Sequence, residues 1–341
     1  MRIGIAGLNG LYWPVAAGNW LKGRPDIQFL AAATLGEDKV PIKDSLGLFP
    51  EEYAAKYGIK LYTWAEEMVE TEKLDTVMLV TRHSQHAAWV ERLARLGVNI
   101  YIPKTFVTTP EDANRIVNAG KTQGIKIAVG PSARFLPQMA ALKSALAEGR
   151  IGTPFAVRIC HHHGTIDVFN KNDWYRDPQE GGPELSLGWY GIDLALQFMQ
   201  DRVKTVYAKY ANYSSPDSPF MDCGRMVLGM DHGGAASFDM YFCNRINYPS
   251  WQVEITGPKG VLSIHRIESN PSRTVVSLED KQGYQTLPLP VITPHWEMFW
   301  VDEFVQGREP SLTAEYAREV TLISFAARES ARTGMPVNLP A

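Results

Sequence analysis

The sequence has 341 residues, 45 % of them hydrophobic and 21 % charged, which is enough to bury one large core or two medium-sized ones. Two cores are the better expectation at this length. The formal net charge of -3 at pH 7 excludes a general electrostatic attraction for nucleic acid or for an anionic membrane, so we expect neither as a partner.

Three cysteines, Cys160, Cys223 and Cys243, are widely spaced and lie in apolar runs. They lack the spacing of a zinc site, so the sequence indicates buried thiols in a reducing compartment. The chain opens on the strand-like MRIGIAG without a basic leader, and it has no apolar run long enough to span a bilayer. We therefore expect a soluble, cytoplasmic protein.

Residues 1–130 alternate short apolar runs with amphipathic stretches. Strands are predicted at 2–7, 29–35, 75–81, 98–102 and 125–130. Helices are predicted at 84–97 and 109–124, each ending at a glycine. Apolar strands separated by helices are typical of a parallel sheet covered on both faces. The fold class is therefore α/β, and residues 1–130 are predicted to form a Rossmann-type, doubly wound dinucleotide-binding domain.

From residue 131 onwards the strands follow one another directly. A helix at 135–152 precedes apolar strands joined by turns such as GPKG at 257–260, and a threonine-capped helix at 313–334 comes last. Residues 131–341 are therefore predicted to form an α+β domain with an open, mostly antiparallel sheet. We expect the active site in a cleft between the two domains.

The turn after the first strand, GLNGLYWP, carries the candidate cofactor site. The usual dinucleotide pattern is GxGxxG, because glycines let a phosphate reach the amides of a helix N-terminus. Here the second and third glycines are replaced by asparagine and tyrosine, although asparagine tolerates a left-handed backbone. An ordinary strand-to-helix turn is the alternative interpretation. The candidate cofactor-binding residues are Gly7, Asn9, Gly10, Leu11 and Tyr12.

The second strand ends at Thr34, where a carboxylate usually binds the adenosine ribose. A hydroxyl can instead donate to a 2'-phosphate, and Lys39 could neutralise that phosphate. Glu37 and Asp38 argue against this interpretation, and a loop that touches no cofactor is the alternative. The cofactor is predicted to be NAD or NADP, with Thr34 favouring NADP.

Five segments of the chain resemble one known family. They are IGIAGLNG; TRHSQHAAW, where the family has T-P-N-x-x-H; IPKTFVTTPEDA, where it has E-K-P; WYRDPQEGGPELSLGWYGIDLALQFM; and TGPKGVL. Over nearly its whole length the chain resembles the glucose-fructose oxidoreductase, inositol dehydrogenase and MocA (Gfo/Idh/MocA) family. The resemblance implies an NAD(P)-dependent dehydrogenase or reductase that acts on a sugar, cyclitol or related polyol. It also implies that the second domain binds substrate and forms homodimers or homotetramers through its open sheet.

Lys104 aligns with the lysine of E-K-P, which the family places beside the nicotinamide and the reacting hydroxyl. An ammonium there can polarise the hydroxyl, and desolvation can lower its pKa from about 10.4 toward neutrality, so that it relays a proton. The alternative is a surface lysine that follows a strand. The motif's glutamate and proline are replaced by Pro103 and Thr105, and a proline without an amide hydrogen can change the local path of the chain.

Many catalytic members carry an aspartate and, four residues later, a histidine on one helix face. Here these positions hold Ser186 and Tyr190, with Asp193 one turn further on. In one interpretation the cation of Lys104 lowers the pKa of Tyr190, and the phenol takes the substrate proton in place of histidine. In a second, the protein is a catalytically silent sugar- or nucleotide-binding regulator. In a third, a lyase, isomerase or glycosidase uses tightly bound NAD(P) for transient oxidation.

The stretch CHHHG places His161 and His163 on one face of a predicted strand and His162 on the other. Imidazoles hydrogen-bond to sugar hydroxyls, so substrate contact is the first interpretation. A polar strand end and a metal site are the alternatives. A metal site would need further ligands, and the candidates are Asp167, Asp173 and His232. Because strand position alone does not make a site, no metal is predicted.

The remaining candidates lie in segments that carry the resemblance or follow the hinge. Aromatic rings stack on sugars and guanidinium groups bind carboxylates or hydroxyls, although Trp174 could equally be a core residue. The predicted substrate-binding set is Arg134, His161, His163, Trp174, Tyr175, Arg176, Ser186, Tyr190 and Asp193. The cofactor-binding set is completed by Thr81, Arg82, His83, His86 and Lys104. For His86, capping a turn is the alternative role.

Overall fold

The computed structural model describes residues 1–164, 174–214, 217–243, 251–267, 270–292 and 296–340, with two compact units. The first unit consists of Met1–Pro131, Gln179–Gly181 and Glu297–Thr321. The second consists of Ser132–Pro178, Gly182–Trp296 and Leu322–Ala341. The first unit thus includes two segments from later in the chain. The single domain boundary after residue 130 that was predicted from the sequence leaves these segments in the second domain.

A six-stranded parallel sheet forms the centre of the first unit, with the strand order β3-β2-β1-β4-β5-β6. Its strands are β1 (Arg2–Ala6), β2 (Gln28–Ala33), β3 (Lys60–Tyr62), β4 (Thr76–Leu79), β5 (Asn99–Pro103) and β6 (Ile127–Gly130). The order reverses between β1 and β4, as in a doubly wound dinucleotide-binding fold, so the predicted fold class is confirmed. The sequence prediction lacked β3, because this three-residue edge strand has no apolar run to mark it.

Helices of the first unit have the caps that their sequence indicates. The unit contains α1 (Trp13–Leu21), α2 (Lys39–Leu46), α3 (Pro50–Tyr57), α4 (Ala65–Glu72), α5 (His86–Ala94) and α6 (Pro110–Gln123). Thr109 accepts the amide hydrogen of Asp112 at the start of α6, and Gly124 ends it with a φ of 64°. The helix predicted at 84–97 is shorter in the structure. A 3₁₀ turn precedes α5, and α5 ends three residues before Gly97.

The second unit contains a nine-stranded sheet with the order β14-β13-β12-β11-β7-β10-β9-β8-β15. Its strands are β7 (Ala156–His162), β8 (Val203–Ala211), β9 (Cys223–Met230), β10 (Ala235–Tyr241), β11 (Trp251–Gly257), β12 (Gly260–Ile267), β13 (Asn270–Asp280), β14 (Gly283–Thr286) and β15 (Val337–Asn338). Neighbouring strands are antiparallel apart from β7 and β10, which run parallel. The predicted open, mostly antiparallel sheet is therefore confirmed.

Among the described residues, α7 (Pro137–Ala147) and α8 (Gly182–Met199) are helices that lie wholly in the second unit. Nearly every side chain of α8 is buried, and at Gly191 a Cβ atom would collide with the ring of Phe238 on β10, so glycine permits this close packing. Near the C-terminus, α9 (Phe299–Val305) lies in the first unit and α10 (Ala314–Thr333) contributes residues to both units. None of the helices in the described part of the chain is both long enough and apolar enough to cross a bilayer.

Candidate active site

The turn after β1 needs glycine at its first position. Gly7 has a φ of 90°, and a Cβ atom there would collide with the main-chain oxygen of Val80 at the end of β4. Its amide donates to Ala33 at 2.9 Å, which ties the turn to β2. The turn then leads into α1, whose N-cap residue Tyr12 provides no side-chain hydrogen bond to the helix. Such an uncapped N-terminus at the carboxyl edge of a doubly wound sheet fits an anionic phosphate.

Gly7→Ala is expected to destabilise the first unit by about 2–4 kcal/mol, because it adds backbone strain and a steric clash. Gly23→Ala is the matched control. Gly23 has a similar φ of 86° but no atom within 4 Å of the added methyl, so it should lose only about 1–2 kcal/mol of unfolding free energy. Urea unfolding of both variants measures the difference. Equal losses would contradict the role assigned to the contact with Val80.

The other predicted residues of this turn are held by α2. The hydroxyl of Ser45 accepts the amide hydrogen of Leu11 at 3.2 Å and lies 3.3 Å from the carbonyl oxygen of Asn9, to which it donates. Leu11 has a φ of 54°, and Asn9 is buried. Gly10 packs against Val80, where a Cβ atom would collide with the valine side chain. The departures from GxGxxG are therefore accommodated by a closely packed turn.

The charged residues that follow Thr34, at the end of β2, bind different partners. Thr34 is half-buried, and its amide donates to the carbonyl oxygen of Tyr62 at 3.0 Å. The carboxylate of Asp38 caps α2 by accepting from Val40 at 2.8 Å, while the ammonium of Lys39 pairs with Glu51. The Lys39–Glu51 pair is exposed, so it contributes little stability and can exchange partners at small cost.

Lys104 follows β5 directly, and its amide donates to the carbonyl oxygen of Gly130 at 2.5 Å. The peptide bond between Lys104 and Thr105 is cis, at the position where the E-K-P motif has its proline. Pro103 is the last residue of β5 and is paired with Gly130 of β6. Burial lowers the pKa of Lys104 to about 8, and the Glu297 carboxylate partly opposes that shift. A minor fraction of the amine is thus uncharged at pH 7, and this fraction grows as the pH approaches and passes 8.

Glu297 is a charged neighbour of Lys104 that the sequence analysis missed. Burial raises the pKa of its carboxyl to about 7, and the Lys104 cation acts in the opposite direction. The residue begins the Glu297–Thr321 segment of the first unit, far from Lys104 along the chain. A lone glutamate in a Trp-rich stretch carries no local signal of this proximity.

His83 and His86 are buried neutral imidazoles that hold main-chain oxygens. Nδ1 of His86 lies 2.8 Å from the carbonyl oxygen of Phe106, two residues after Lys104, and Nδ1 of His83 lies 2.7 Å from that of Glu180. Burial lowers the pKa of His83 to about 3 and that of His86 to about 4, so at pH 7 each nitrogen facing a carbonyl is a donor. His86 thereby fastens the loop that carries Lys104.

Two further residues predicted to bind cofactor lie beside these imidazoles. The hydroxyl of Thr81 donates to the carbonyl oxygen of Arg82 at 3.2 Å. Nε of Arg82 is buried and has no hydrogen-bond partner within the described ranges. The side chain and amide of Ser84 bind the Glu180 carboxylate at 2.6 and 2.9 Å, which joins Gln179–Gly181 to the first unit. The sequence carried no signal for Glu180.

In the second unit, the predicted residues of α8 are all buried. Ser186, Tyr190 and Asp193 lie at successive turns of the helix, as the sequence spacing indicates. Asp193 accepts a hydrogen bond from the hydroxyl of Ser132 and two from Arg134. The bond from Nε of Arg134 is 3.1 Å long, and Nη2 donates the other. Arg134 and Asp193 therefore bind each other in a bidentate pair. Their assignment to substrate stays a prediction.

Tyr190 belongs to an aromatic cluster with the predicted histidines. The ring of His161 stacks on Trp251 with centroids 3.8 Å apart, and Tyr190 meets both rings edge-on at 5.8 and 5.9 Å. His163 is 5.4 Å from His161 and stacks on Phe242. The two histidines thus share a face, as expected. Trp251 was missed, although its position opposite His161 on β11 gives it this contact.

The metal alternative gains no ligand set. Asp167 and Asp173 lie outside the described residues, and His232 is exposed, with its Nδ1 2.8 Å from Asp201. Within the residues the structure describes, no group of three or more histidine, cysteine or acidic side chains could hold a metal ion. His162 lies beside Cys160, its Nε2 3.2 Å from the sulfur.

Trp174 and Tyr175 are buried, with ring centroids 4.0 Å apart. Arg176 is exposed, and its guanidinium donates to the main-chain oxygen of Asp217 at 3.0 Å. Burial of Trp174 agrees with the core alternative, whereas the guanidinium of Arg176 is directed to the backbone. Their roles toward substrate stay predictions.

Comparisons with known proteins match both parts of the chain to known families. Residues 1–131 match an oxidoreductase family with an NAD-binding Rossmann fold, and residues 139–263 match the GFO/IDH/MocA C-terminal domain. The chain is 33 % identical over 293 residues to 1,5-anhydro-D-fructose reductase of Ensifer adhaerens, with 84 % of this chain and 86 % of that protein covered. It is 24 % identical over 351 residues to myo-inositol 2-dehydrogenase of Thermotoga maritima, covering 99 % and 98 % of the two chains.

Among solved structures, an oxidoreductase of Agrobacterium radiobacter in complex with NAD+, L-tartaric acid and magnesium matches with a TM-score of 0.83. The match covers 99 % of this chain and 98 % of that chain at 20 % identity. At this identity the likeness shows the fold.

Proposed function

This chain belongs to the Gfo/Idh/MocA family of oxidoreductases, and we propose that it transfers hydride between a nicotinamide cofactor and a sugar, cyclitol or related polyol. The family description supplies the NAD-binding Rossmann fold. The substrate class is supported by relatives named as a 1,5-anhydro-D-fructose reductase and a myo-inositol 2-dehydrogenase.

The observation that carries the proposal is the state of Lys104. Its amine lies at the carboxyl edge of the parallel sheet, where ligands of doubly wound domains bind, and burial lowers its pKa to about 8. A general base is most effective when its pKa lies near the working pH. Lys104 therefore takes the substrate hydroxyl proton during oxidation and returns it during reduction.

The residues around the β1 turn fit a dinucleotide. We assign the pyrophosphate to the amides of the Gly7–Tyr12 turn and the start of α1, with Thr81, Arg82, His83 and His86 behind the nicotinamide half. Bound there, the nicotinamide supplies the hydride chemistry, and the chain binds and orients it. Thr34 replaces the usual carboxylate and favours NADP over NAD, and Lys39 would join it by leaving its exposed pair with Glu51.

Titration with NADH and with NADPH, exciting the nine tryptophans and following energy transfer to the nicotinamide, tests the cofactor assignment. Saturable transfer is expected with both cofactors, and more tightly with NADPH. Folded, cofactor-free protein that shows no transfer with either would overturn the dehydrogenase proposal. Tighter NADH binding would reverse the assignment of Thr34.

The substrate side is proposed to be the His161, Tyr190 and Trp251 cluster. Trp251 and His161 present a stacked aromatic pair, and such faces pack against sugar rings. Tyr190 adds a hydroxyl that can hydrogen-bond to the reacting substrate hydroxyl, whose proton passes to Lys104, and this makes Tyr190 the proposed second catalytic residue. Ser186 stands where many members have aspartate and supplies a neutral hydrogen-bonding group.

Tyr190→Phe is expected to lower kcat by about 10²–10³-fold, because it removes the hydroxyl that hydrogen-bonds to the reacting group during proton transfer and keeps the ring packing. Tyr210→Phe is the matched control, since the hydroxyl of Tyr210 is buried without a hydrogen-bond partner among the described residues. It should leave turnover unchanged. Steady-state rates with a panel of sugars and polyols measure both variants, and full activity of Tyr190→Phe would remove the tyrosine from the mechanism.

Two other functions of the same fold are separated by these measurements. Ser186 and Tyr190 in place of aspartate and histidine favour a catalytically silent regulator if NADPH binds and no polyol is turned over. Cofactor that co-purifies and returns to its starting redox state would favour a lyase, isomerase or glycosidase with transient oxidation.

We further propose that the first unit binds the dinucleotide and the second unit binds the substrate. The open sheet of the second unit is proposed to join copies of the chain into a dimer or tetramer. Sedimentation or light scattering measures that assembly. A cytoplasmic location is proposed from the three cysteines, which form no disulfides in the structure.

A further inference from the structure

Glu297 occupies the part of the first unit that carries Lys104. Three residues after Glu297, the ring of Trp300 lies flat on Tyr101 of β5, with centroids 4.2 Å apart and planes 10° apart. This stack ties the start of the Glu297–Thr321 segment to the strand that ends beside Lys104. Glu297 itself is half-buried.

The carboxylate of Glu297 acts electrostatically on three groups, the ammonium of Lys104 and the phenols of Tyr101 and Tyr12. Tyr101 and Lys104 belong to β5 and its exit, and Tyr12 to the turn after β1. His83 is a further titratable group that interacts with Lys104, and its imidazole is neutral at pH 7. In turn, the charge of Lys104 acts on the Glu297 carboxyl and opposes the effect of burial on its pKa.

The chain lacks the carboxylate of the E-K-P motif. E-K-P places a carboxylate directly before the lysine, and here that position is Pro103, which has no charge. A half-buried ammonium without a nearby carboxylate would be costly to form, so proton uptake by Lys104 would be opposed. A carboxylate from a distant part of the chain can stabilise the ammonium instead.

We propose that Glu297 supplies the carboxylate that Pro103 lacks, acting as a positioning residue that stabilises the protonated form of Lys104 during the proposed oxidoreduction. The inference rests on the proposed function. In oxidation, the hydroxyl proton of the alcohol passes to the uncharged amine of Lys104, while hydrogen with its electron pair leaves the carbon for the nicotinamide. The ammonium so formed faces the negative Glu297 and then releases its proton to solvent. In reduction the same proton moves back.

The test uses the protein without cofactor or substrate. Lysine labelled with ¹³C at Cε is titrated by NMR, and the Lys104 signal is identified by its loss in Lys104→Arg. Glu297→Gln should lower the Lys104 midpoint by about one pH unit, because an attractive charge is removed. Glu309→Gln is the matched control, since Glu309 is exposed and pairs with Lys126 at 3.4 Å. It should leave the midpoint unchanged.

A second readout follows the pH dependence of kcat/KM with the best polyol. The limb assigned to Lys104 should move to lower pH in Glu297→Gln, and Glu297→Asp should restore part of the shift. An unchanged NMR midpoint in Glu297→Gln would overturn the pairing. A shifted midpoint with an unchanged kinetic limb would overturn its role in turnover. Failure of the wild type to oxidise or reduce any polyol would overturn the proposed function, while the NMR midpoint still decides the pairing.

Discussion

Lys104→Ala is expected to lower kcat for alcohol oxidation by about 10²–10⁴-fold, because it removes the general base. Lys121→Ala is the matched control, since Lys121 belongs to α6 of the same unit and its ammonium is exposed, with Glu315 at 3.7 Å. The control should keep wild-type rates. Undiminished turnover by Lys104→Ala would remove this residue from the mechanism.

The pH dependence supplies an independent measurement of the same role. With a pKa of about 8, Lys104 must lose its proton before it can act as a base, so oxidation should rise as the pH passes through 8. Reduction needs the ammonium and should fall over the same interval. Lys104→Arg keeps a positive charge throughout this range, so both limbs should disappear from the kcat/KM profiles.

Asp193→Ala is expected to lower the unfolding free energy by about 3–5 kcal/mol, because it leaves the partly buried guanidinium of Arg134 without its carboxylate. The carboxylate of Asp193 is fully buried, and 15 % of the Arg134 side chain is exposed. Ser132 loses its acceptor in the same substitution. The loss should therefore exceed that of an ordinary surface ion pair.

Asp239→Ala is the control within the same unit. Asp239 also forms a bidentate pair, with Arg225, but 65 % of that arginine side chain is exposed. The expected loss is at most about 1 kcal/mol, since an exposed guanidinium regains water. Urea unfolding curves, together with rates at saturating polyol, measure both variants. Equal losses would show that burial of the Arg134–Asp193 pair adds nothing.

Local patterns carried much of the fold. The apolar runs that became β1, β2, β4, β5 and β6 are continuous because both faces of a parallel sheet are covered. Thr109 and Gly124 identified the ends of α6 because capping chemistry lies within a few residues of each end. The edge strand β3 escaped prediction, since three partly exposed residues contain no periodicity. The family resemblance is confirmed by the matches over residues 1–131 and 139–263.

Only part of the candidate site could be predicted from local sequence patterns. Lys104 could be selected because a short motif and a strand exit identify it, and the direction of its pKa shift follows from burial. Glu297, Glu180 and Trp251 could not, since each contacts its partners from a distant part of the chain. Arg134 was selected for substrate from its guanidinium and its place after the hinge, and Asp193 from the family pattern. Only the fold revealed that the two side chains bind each other.

By itself, the sequence determined the two kinds of sheet, the family and the lysine at the end of β5, because these depend on periodicity, turn chemistry and short motifs. The tertiary structure alone decided which carboxylate faces that lysine, which ring stacks on His161 and which charge balances Arg134. Such partners are brought together by the folding of distant segments. Because burial and Coulomb interactions depend on distance in space, no local pattern of residues could specify them.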